Sequence, residues 1–370
     1  MKIIMFYHSV YSDWNHGNAH FLRGITKSLQ KKGHEVEIYE PEDGWSIQNL
    51  LKSHGAEMLD EFREYYPGIH PQFYYSKRPL KAEKIFPGAD VVIVHEWNPP
   101  ELIEEIGRYK KQYGFTLLFH DTHHRAVSDK ENLGKNVFTN YDGALVFGEV
   151  LKDLYLQNKW SKKVWVWHEA ADADLFKPKR DLPKKGDLVW IGNWGDDERA
   201  EELTEYLINP IKELNLKAKI YGVRYPEKVK KLLKDSNIEY GGWLPNYKVP
   251  EVFAQYRLTL HIPRRPYVEK LPGIPTIRPF EAMSCGIPLI SAPWKDAENL
   301  FHTNQDYLLA ENPDQMKKLI AEVLQNQELA RKLSMNGRQV ILDKHTCDHR
   351  ATELEEIIAS IRKPEKFETL

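Results

Sequence analysis

Between Pro272 and Ser291 the chain offers its most specific chemistry. Pro272-Gly273-Ile274-Pro275-Thr276 leads into the short helical pattern Arg278-Pro279-Phe280-Glu281-Ala282-Met283-Ser284-Cys285, which Gly286 closes before the apolar run Ile287-Pro288-Leu289-Ile290-Ser291. A helix that starts this way leaves backbone N–H groups exposed at a crevice, where they favour an anion. Thr276 and Arg278 would add donors for phosphate, and Glu281, one turn in, is placed to accept hydrogen bonds from a ribose diol. The plain alternative is an ordinary turn with Glu281 in water.

A second cluster, Phe119-His120-Asp121-Thr122-His123-His124, follows an apolar strand pattern directly. Imidazole and carboxylate at this density suit a divalent metal, and they suit acceptor contacts or loop packing as well. His95-Glu96 closes another such strand with the same alternatives. The third feature is cationic: Arg199 after the loop Gly192-Asn193-Trp194, and Arg264-Arg265 after the strand pattern ending His261-Ile262-Pro263. Guanidinium forks match phosphate oxygens and can oppose charge that grows on a leaving group. Solvated surface arginines are the alternative.

The elements that must carry these residues are legible as alternating strands and helices, the pattern of a parallel sheet. Strands are expected near 2–7, 35–39, 90–94, 115–119, 142–147 and 163–167, then near 187–191, 217–221, 257–262, 287–291 and 306–309. Helical spacing of Phe21, Leu22, Ile25 and Leu29, closed by Gly33, joins the first two strands. Residues 41–85, with Trp45, Tyr65, Tyr66, Phe73, Tyr74 and Tyr75 among polar residues, are expected to decorate the first sheet rather than extend it. Residues 176–186, rich in proline and cations, read as a linker. The expected division is therefore a first domain over 1–178, a second over 187–347, and a last helix within 348–370 that crosses back to the first.

A chain of 370 residues suggests two to three domains. With 52 Lys and Arg against 54 Asp and Glu, the net charge of −2 gives no electrostatic footprint for non-specific nucleic-acid binding. Two cysteines, Cys285 and Cys347, are too few for a disulfide framework and point to a reducing compartment. No run approaches the length of a membrane span, and the N-terminal apolar stretch has the shape of a strand rather than a signal sequence. A cytoplasmic location is expected, with peripheral membrane contact left open. The aromatic load of 10 Trp, 19 Tyr and 14 Phe suits sugar or base stacking as well as core filling.

The stretch from Arg278 to Ser291 resembles the nucleotide-sugar motif of GT-B glycosyltransferases, particularly family 4 and the spore-maturation CgeB-like branch. Further stretches share the resemblance: Gly17-Asn18-Ala19-His20-Phe21 through Gly33-His34-Glu35-Val36, His168-Glu169-Ala170-Ala171-Asp172 through Phe176-Lys177-Pro178, Asp187 through Trp194 with Glu198-Arg199, and His345 through Arg350. Tyr240-Gly241-Gly242-Trp243-Leu244-Pro245 is similar to the loop that covers the nucleobase, where Trp243 would stack or fill the core. Family 4 members usually carry two glutamates separated by seven residues. Here the first falls on Gly273, and Glu269 is a displaced substitute.

The resemblance implies an α/β protein of GT-B class, with two Rossmann-like doubly wound domains facing across a cleft. It implies a glycosyltransferase, retaining and independent of metal or other cofactor, that takes a nucleotide sugar on the C-terminal domain and an unidentified acceptor, such as a glycan or small molecule, on the N-terminal one. His120, Arg199 and Arg265 would be catalytic. Gly17, Asn18, His95, Gly192, Asn193, Trp243, Thr276, Arg278 and Glu281 would bind substrate, Arg199, Arg265, Thr276 and Arg278 meeting the diphosphate. Two competing functions are an epimerase of the same fold and a catalytically silent nucleotide-sugar binding or coat-assembly protein.

Overall fold

The computed structural model describes residues 1–133, 138–179 and 182–362. It contains two parallel sheets, each the centre of one unit. The first has seven strands, β1 (Lys2–Phe6), β2 (Glu35–Pro41), β3 (Gln72–Tyr74), β4 (Val91–His95), β5 (Thr116–Asp121), β6 (Gly143–Val146) and β7 (Val164–Val166), in the order β3-β2-β1-β4-β5-β6-β7. The second has six, β8 (Leu188–Ile191), β9 (Ala218–Tyr221), β10 (Ile238–Tyr240), β11 (Leu258–His261), β12 (Leu289–Ser291) and β13 (Leu308–Leu309), in the order β10-β9-β8-β11-β12-β13.

Sequence explains the central strands directly. Val91-Val92-Ile93-Val94 has no polar face because helices cover both sides, and all four residues are buried. The helix Ala19–Lys31 turns Phe21, Leu22, Ile25 and Leu29 inward, and Gly33, at φ 84°, lets the chain leave it toward β2. In the second unit the core gathers Leu188, Trp190, Ile220, Leu258, Leu260 and Ile290 from the strands with Leu207, Ile211 and Ile320 from the helices.

Two edge strands were not expected. The 41–85 segment does extend the first sheet, because Gln72–Tyr74 pairs with Tyr39–Pro41 in parallel register, and Ile238–Tyr240 likewise extends the second. At three residues each, neither is long enough for a periodic signal. The helical stretch between β8 and β9 is interrupted: regular turns at Ala200–Leu203 and Asn209–Glu213 flank a wide π turn at Thr204–Ile208. Pro210 lies two residues beyond it, and its missing N–H and its ring disfavour a regular ladder there.

The chain divides at different points from the linker. The first unit comprises Met1–Ser12, Leu22–His168 and the chain from Cys347, and the second comprises Asp13–Phe21 and Glu169–Thr346. Residues 180 and 181 of the expected linker lie outside the described residues, as do 363–370 of the terminal segment. The described linker residues are bound to the second unit: Phe176 is buried, and Lys184 Nζ donates to the carbonyls of Ala254 at 2.9 Å and Tyr256 at 2.6 Å. The chain thus crosses between units at four points rather than two.

Candidate functional site

In the second unit the carboxyl ends of β8 and β9 lead into glycine-bearing turns. Gly222 N–H donates to the Gly242 carbonyl at 2.7 Å, and a Cβ on Gly222 would fall 1.9 Å from the Gly192 carbonyl oxygen. Only glycine permits that approach. Asn193 fixes the neighbouring turn by accepting from Val223 N–H at 2.9 Å. These turns, with Trp243, Asn246 and Arg278, line a cavity of about 60 Å³.

The opposite wall is the short segment Asp13–Gly17. Asp13 accepts from Trp243 Nε1 and from Asn246 N–H, both at 3.0 Å, and Asn15 pairs with the Asn193 amide. The volume corresponds to about two waters. Small-molecule sites typically enclose about 300–1,000 Å³.

Glu281 lies under this cavity with no exposed surface. Its Oε1 accepts from Asn246 Nδ2 at 2.6 Å and lies 3.3 Å from His20 Nδ1, while Arg278 pairs with Oε2. Burial alone would raise its pKa, but Arg278, His20 and Asn246 together hold it below the ordinary carboxylate value. Glu169 is the counterpart. Burial, reinforced by the Glu281 charge, pushes its pKa up to about 8, against the hydrogen bond from Asn18.

Arg199 is the half-buried cation of the site. Its two terminal nitrogens donate to the carbonyls of Ile262 at 3.1 Å and Asn193 at 2.6 Å, and the guanidinium lies 5.1 Å from the Trp190 ring centroid. Its Nε is buried and has no hydrogen-bond partner among the described residues. Burial, with the nearby charges of Arg264 and Arg278, pulls its pKa down to about 9. An anion at this point would relieve that cost. Thr276 precedes the first turn of helix Ile277–Ser284, its hydroxyl 3.5 Å from His261 Nε2. His261 is held neutral by burial and by Arg199 and Arg278, with a pKa near 3.

Arg265 does not join this cluster. Its guanidinium is tied to Glu202 at 2.6 Å, Glu201 at 2.6 Å and the Asp197 carbonyl at 2.8 Å. Arg264 pairs with Glu198. The tandem arginines thus neutralise the acidic stretch 198–202, which the spacing of Arg265 alone did not reveal. Gly17 lies in the cavity wall, with Ile277 Cγ2 at 3.4 Å from the place of a Cβ, an ordinary contact. Asn18 is engaged by Glu169. Gly273 has φ 97°, a left-handed backbone that a glutamate would occupy only with strain, so the missing first glutamate has a conformational reason.

In the first unit, the carboxyl ends of β4 and β5 bring His95, Glu96, His120, Asp121 and Thr122 together, all buried. His95 Nε2 is 2.9 Å from the Thr122 hydroxyl, and Glu96 accepts from Thr122 N–H at 2.9 Å. Asp121 accepts from the Tyr155 hydroxyl at 2.7 Å and His123 N–H at 3.1 Å. Burial, with the Asp121 charge, raises the Glu96 pKa well above the ordinary value. His120, packed 4.9 Å from the Trp167 ring and 5.4 Å from His95, is held neutral by burial, its pKa near 3. Among the described residues no three His, Cys, Asp or Glu side chains converge as a metal site requires.

Asp13, Asn246 and Glu169 were not singled out from the sequence as site residues. Each is a single polar residue in a loop, and its partners lie far away along the chain.

Residues 199–356, less than half of the chain, match the family model described as "Glycosyl transferase-like". No curated protein matches the sequence. Among solved structures, the chain is similar to sucrose-phosphate synthase from Thermosynechococcus elongatus, with 14% identity over 98% of this chain and 99% of that one and a TM-score of 0.67. An α-glucosyltransferase in complex with UDP and a 13-mer DNA gives 14% identity, 97% and 99% coverage, and a TM-score of 0.72. HepE from Anabaena, in complex with UDP, gives 13% identity, 97% and 100% coverage, and a TM-score of 0.66. No helix among the described residues is long and apolar enough to cross a membrane. Residues 199–356 are thus similar to a glycosyl transferase-like family, and the two parallel Rossmann-like sheets have the GT-B fold of these solved structures.

Proposed function

We propose that the protein transfers a glycosyl group from a nucleoside-diphosphate sugar to an acceptor hydroxyl, without a metal ion and with retention at the anomeric carbon. The observation that carries this reading is the half-buried Arg199 guanidinium, whose buried Nε has no partner among the described residues, beside Arg278 at the carboxyl edge of the second sheet. Complexes with UDP among the similar structures support a uridine nucleotide as the first donor to test.

In this mechanism the bond from the anomeric carbon to the phosphate oxygen breaks, and its electron pair leaves with the diphosphate. Arg199 and Arg278 oppose that growing charge. The acceptor oxygen forms the new bond, and its proton passes to the departing phosphate. Glu281 holds Arg278 in place and would reach the ribose only by exchanging one of its present partners. The cavity of about 60 Å³ must widen for a nucleotide, and the Asp13–Gly17 wall is the part that yields. The acceptor is assigned to the first unit, where the neutral imidazole of His120, with His95 and Thr122 beside it, suits hydroxyl groups.

Calorimetry with UDP, followed by a screen of UDP-sugars for slow hydrolysis, tests the reading. Saturable UDP binding that Arg199→Ala weakens, together with release of UDP, supports it. Epimer formation without UDP release would replace it with the epimerase, and binding without turnover with the silent protein.

A further inference from the structure

A second cavity lies at the opposite end of the second sheet, against residues that precede β8, β11 and β12. It measures about 400 Å³, within the range of small-molecule sites. Its floor is apolar and buried, including Phe253, Cys285 and Val323. Lys179, Lys184, Arg257 and Arg331 also line it, and no carboxylate stands among its described lining residues.

Only one of those four cations has an acidic partner among the described residues: Arg257, 3.3 Å from Asp187. Lys184 Nζ spends two of its protons on backbone carbonyls. Arg331 donates to the weakly accepting Met335 sulfur at 3.1 Å and acts on the Glu328 carboxylate only through space. Glu328, on the same helix as Arg331, is taken by Lys332 at 3.0 Å. Desolvation, with the adjacent Arg257 charge, lowers the Lys184 ammonium from its ordinary value. Among the described residues the cavity is therefore a concentration of positive charge over an apolar floor, with no carboxylate in its lining.

We propose that this cavity binds a phosphorylated small organic molecule, its phosphate groups on Lys179, Lys184 and Arg331 and its carbon skeleton on the apolar floor. A concave site of this size suits a compact ligand better than a nucleic-acid backbone, which runs past a surface. The site is separate from the candidate donor cavity: β8 and β11 lie between them, about 13 Å of strand, and the two share no lining residue.

A hexose bisphosphate serves as the probe, titrated calorimetrically into the full chain with saturating UDP present. One equivalent should bind, and Lys179→Glu with Arg331→Glu should weaken it at least tenfold while UDP affinity stays within twofold. Arg331→Ala, a milder change on an exposed helix face, should weaken it about threefold. In the absence of UDP, Arg278→Lys, which keeps a cation beside Glu281, should leave the probe's affinity unchanged, an arm that holds whether or not the donor assignment is correct. Absence of binding, binding insensitive to both cavity variants, or loss of binding in Arg278→Lys would overturn the proposal. So would displacement of the probe by a single-stranded oligonucleotide or by anionic lipid vesicles, which would make the cavity part of a macromolecular surface.

Discussion

Both sheets end in a polar cluster at the carboxyl ends of their strands, yet the two clusters are built of different materials. In the first unit, burial strips charge away: His8 and His120 are driven to pKa values of about 4 and 3, and Glu96 is pushed toward its protonated form. In the second, charge survives burial at Glu281, which Arg278, His20 and Asn246 hold below the ordinary carboxylate value, and Arg199 remains a cation with a pKa near 9. The same strand-end geometry thus yields a neutral hydrogen-bonding surface in one unit and an anion-seeking one in the other. Neutral imidazoles and hydroxyls exchange readily with sugar hydroxyl groups, whereas fixed guanidinium groups are suited to phosphate.

The sharpest way to break this contrast is to remove the charge that holds Glu281 ionised. Arg278→Ala should cost about 3 kcal/mol of folding stability, since it leaves a carboxylate buried without its cation. His120→Asn in the first unit should cost much less, and paired denaturant titrations compare the two directly. A similar loss from both would end the distinction between charged and neutral sites. Next in size, Arg199→Ala should weaken UDP binding by roughly 1.5–3 kcal/mol and lower turnover by more than that. Equal losses in binding and rate would make Arg199 an anchor rather than a group acting on the departing charge.

Proton linkage moves His120 and Glu169 in opposite directions. The His120 pKa is depressed on folding, so its contribution is present above about pH 6.5 and is lost as pH falls toward about 3. The Glu169 pKa is raised, so its contribution is complete below about pH 4.5 and is lost as pH rises toward about 8. Stability measured across pH should therefore lose its acid-side slope in part in His120→Asn, and its slope between pH 4.5 and 8 in part in Glu169→Gln. Unaltered slopes would show that these groups titrate alike in both states. The smallest expected effect is that of EDTA, which should leave donor turnover unchanged; abolition by chelator with rescue by one divalent ion would return the His120, Asp121, His123 and His124 cluster to consideration as a metal site.

Central strands were readable because burial on both faces writes an unbroken apolar run, as in Val91–Val94. The edge strands at Gln72–Tyr74 and Ile238–Tyr240 were not, because three residues carry no period. The helix start at Thr276, with Arg278 and Glu281, was legible since local turn chemistry encodes it. The wall that narrows the donor cavity was not: Asp13 meets Trp243 and Asn246 across some 230 residues of chain, and nothing near Asp13 marks that encounter. Arg265 shows the reverse error. Its residue type suited phosphate, but Glu201 and Glu202 had already claimed it.

The four crossings of the chain impose an order on synthesis. Strand β1 emerges first, but the first unit is not complete until the helix Cys347–Arg362 is made, which supplies buried Ala351, Leu354 and Ile358 and whose Arg350 carbonyl receives the Trp167 indole N–H at 2.9 Å. In between, the ribosome must produce residues 169–346, a delay on the order of ten seconds or longer at about 5–20 residues per second. The second unit can begin to fold during that interval, while the first waits with part of its apolar surface uncovered. Nascent chains stalled before residue 347 should therefore be the species that chaperones retain and proteases attack, and release past residue 362 should end that vulnerability.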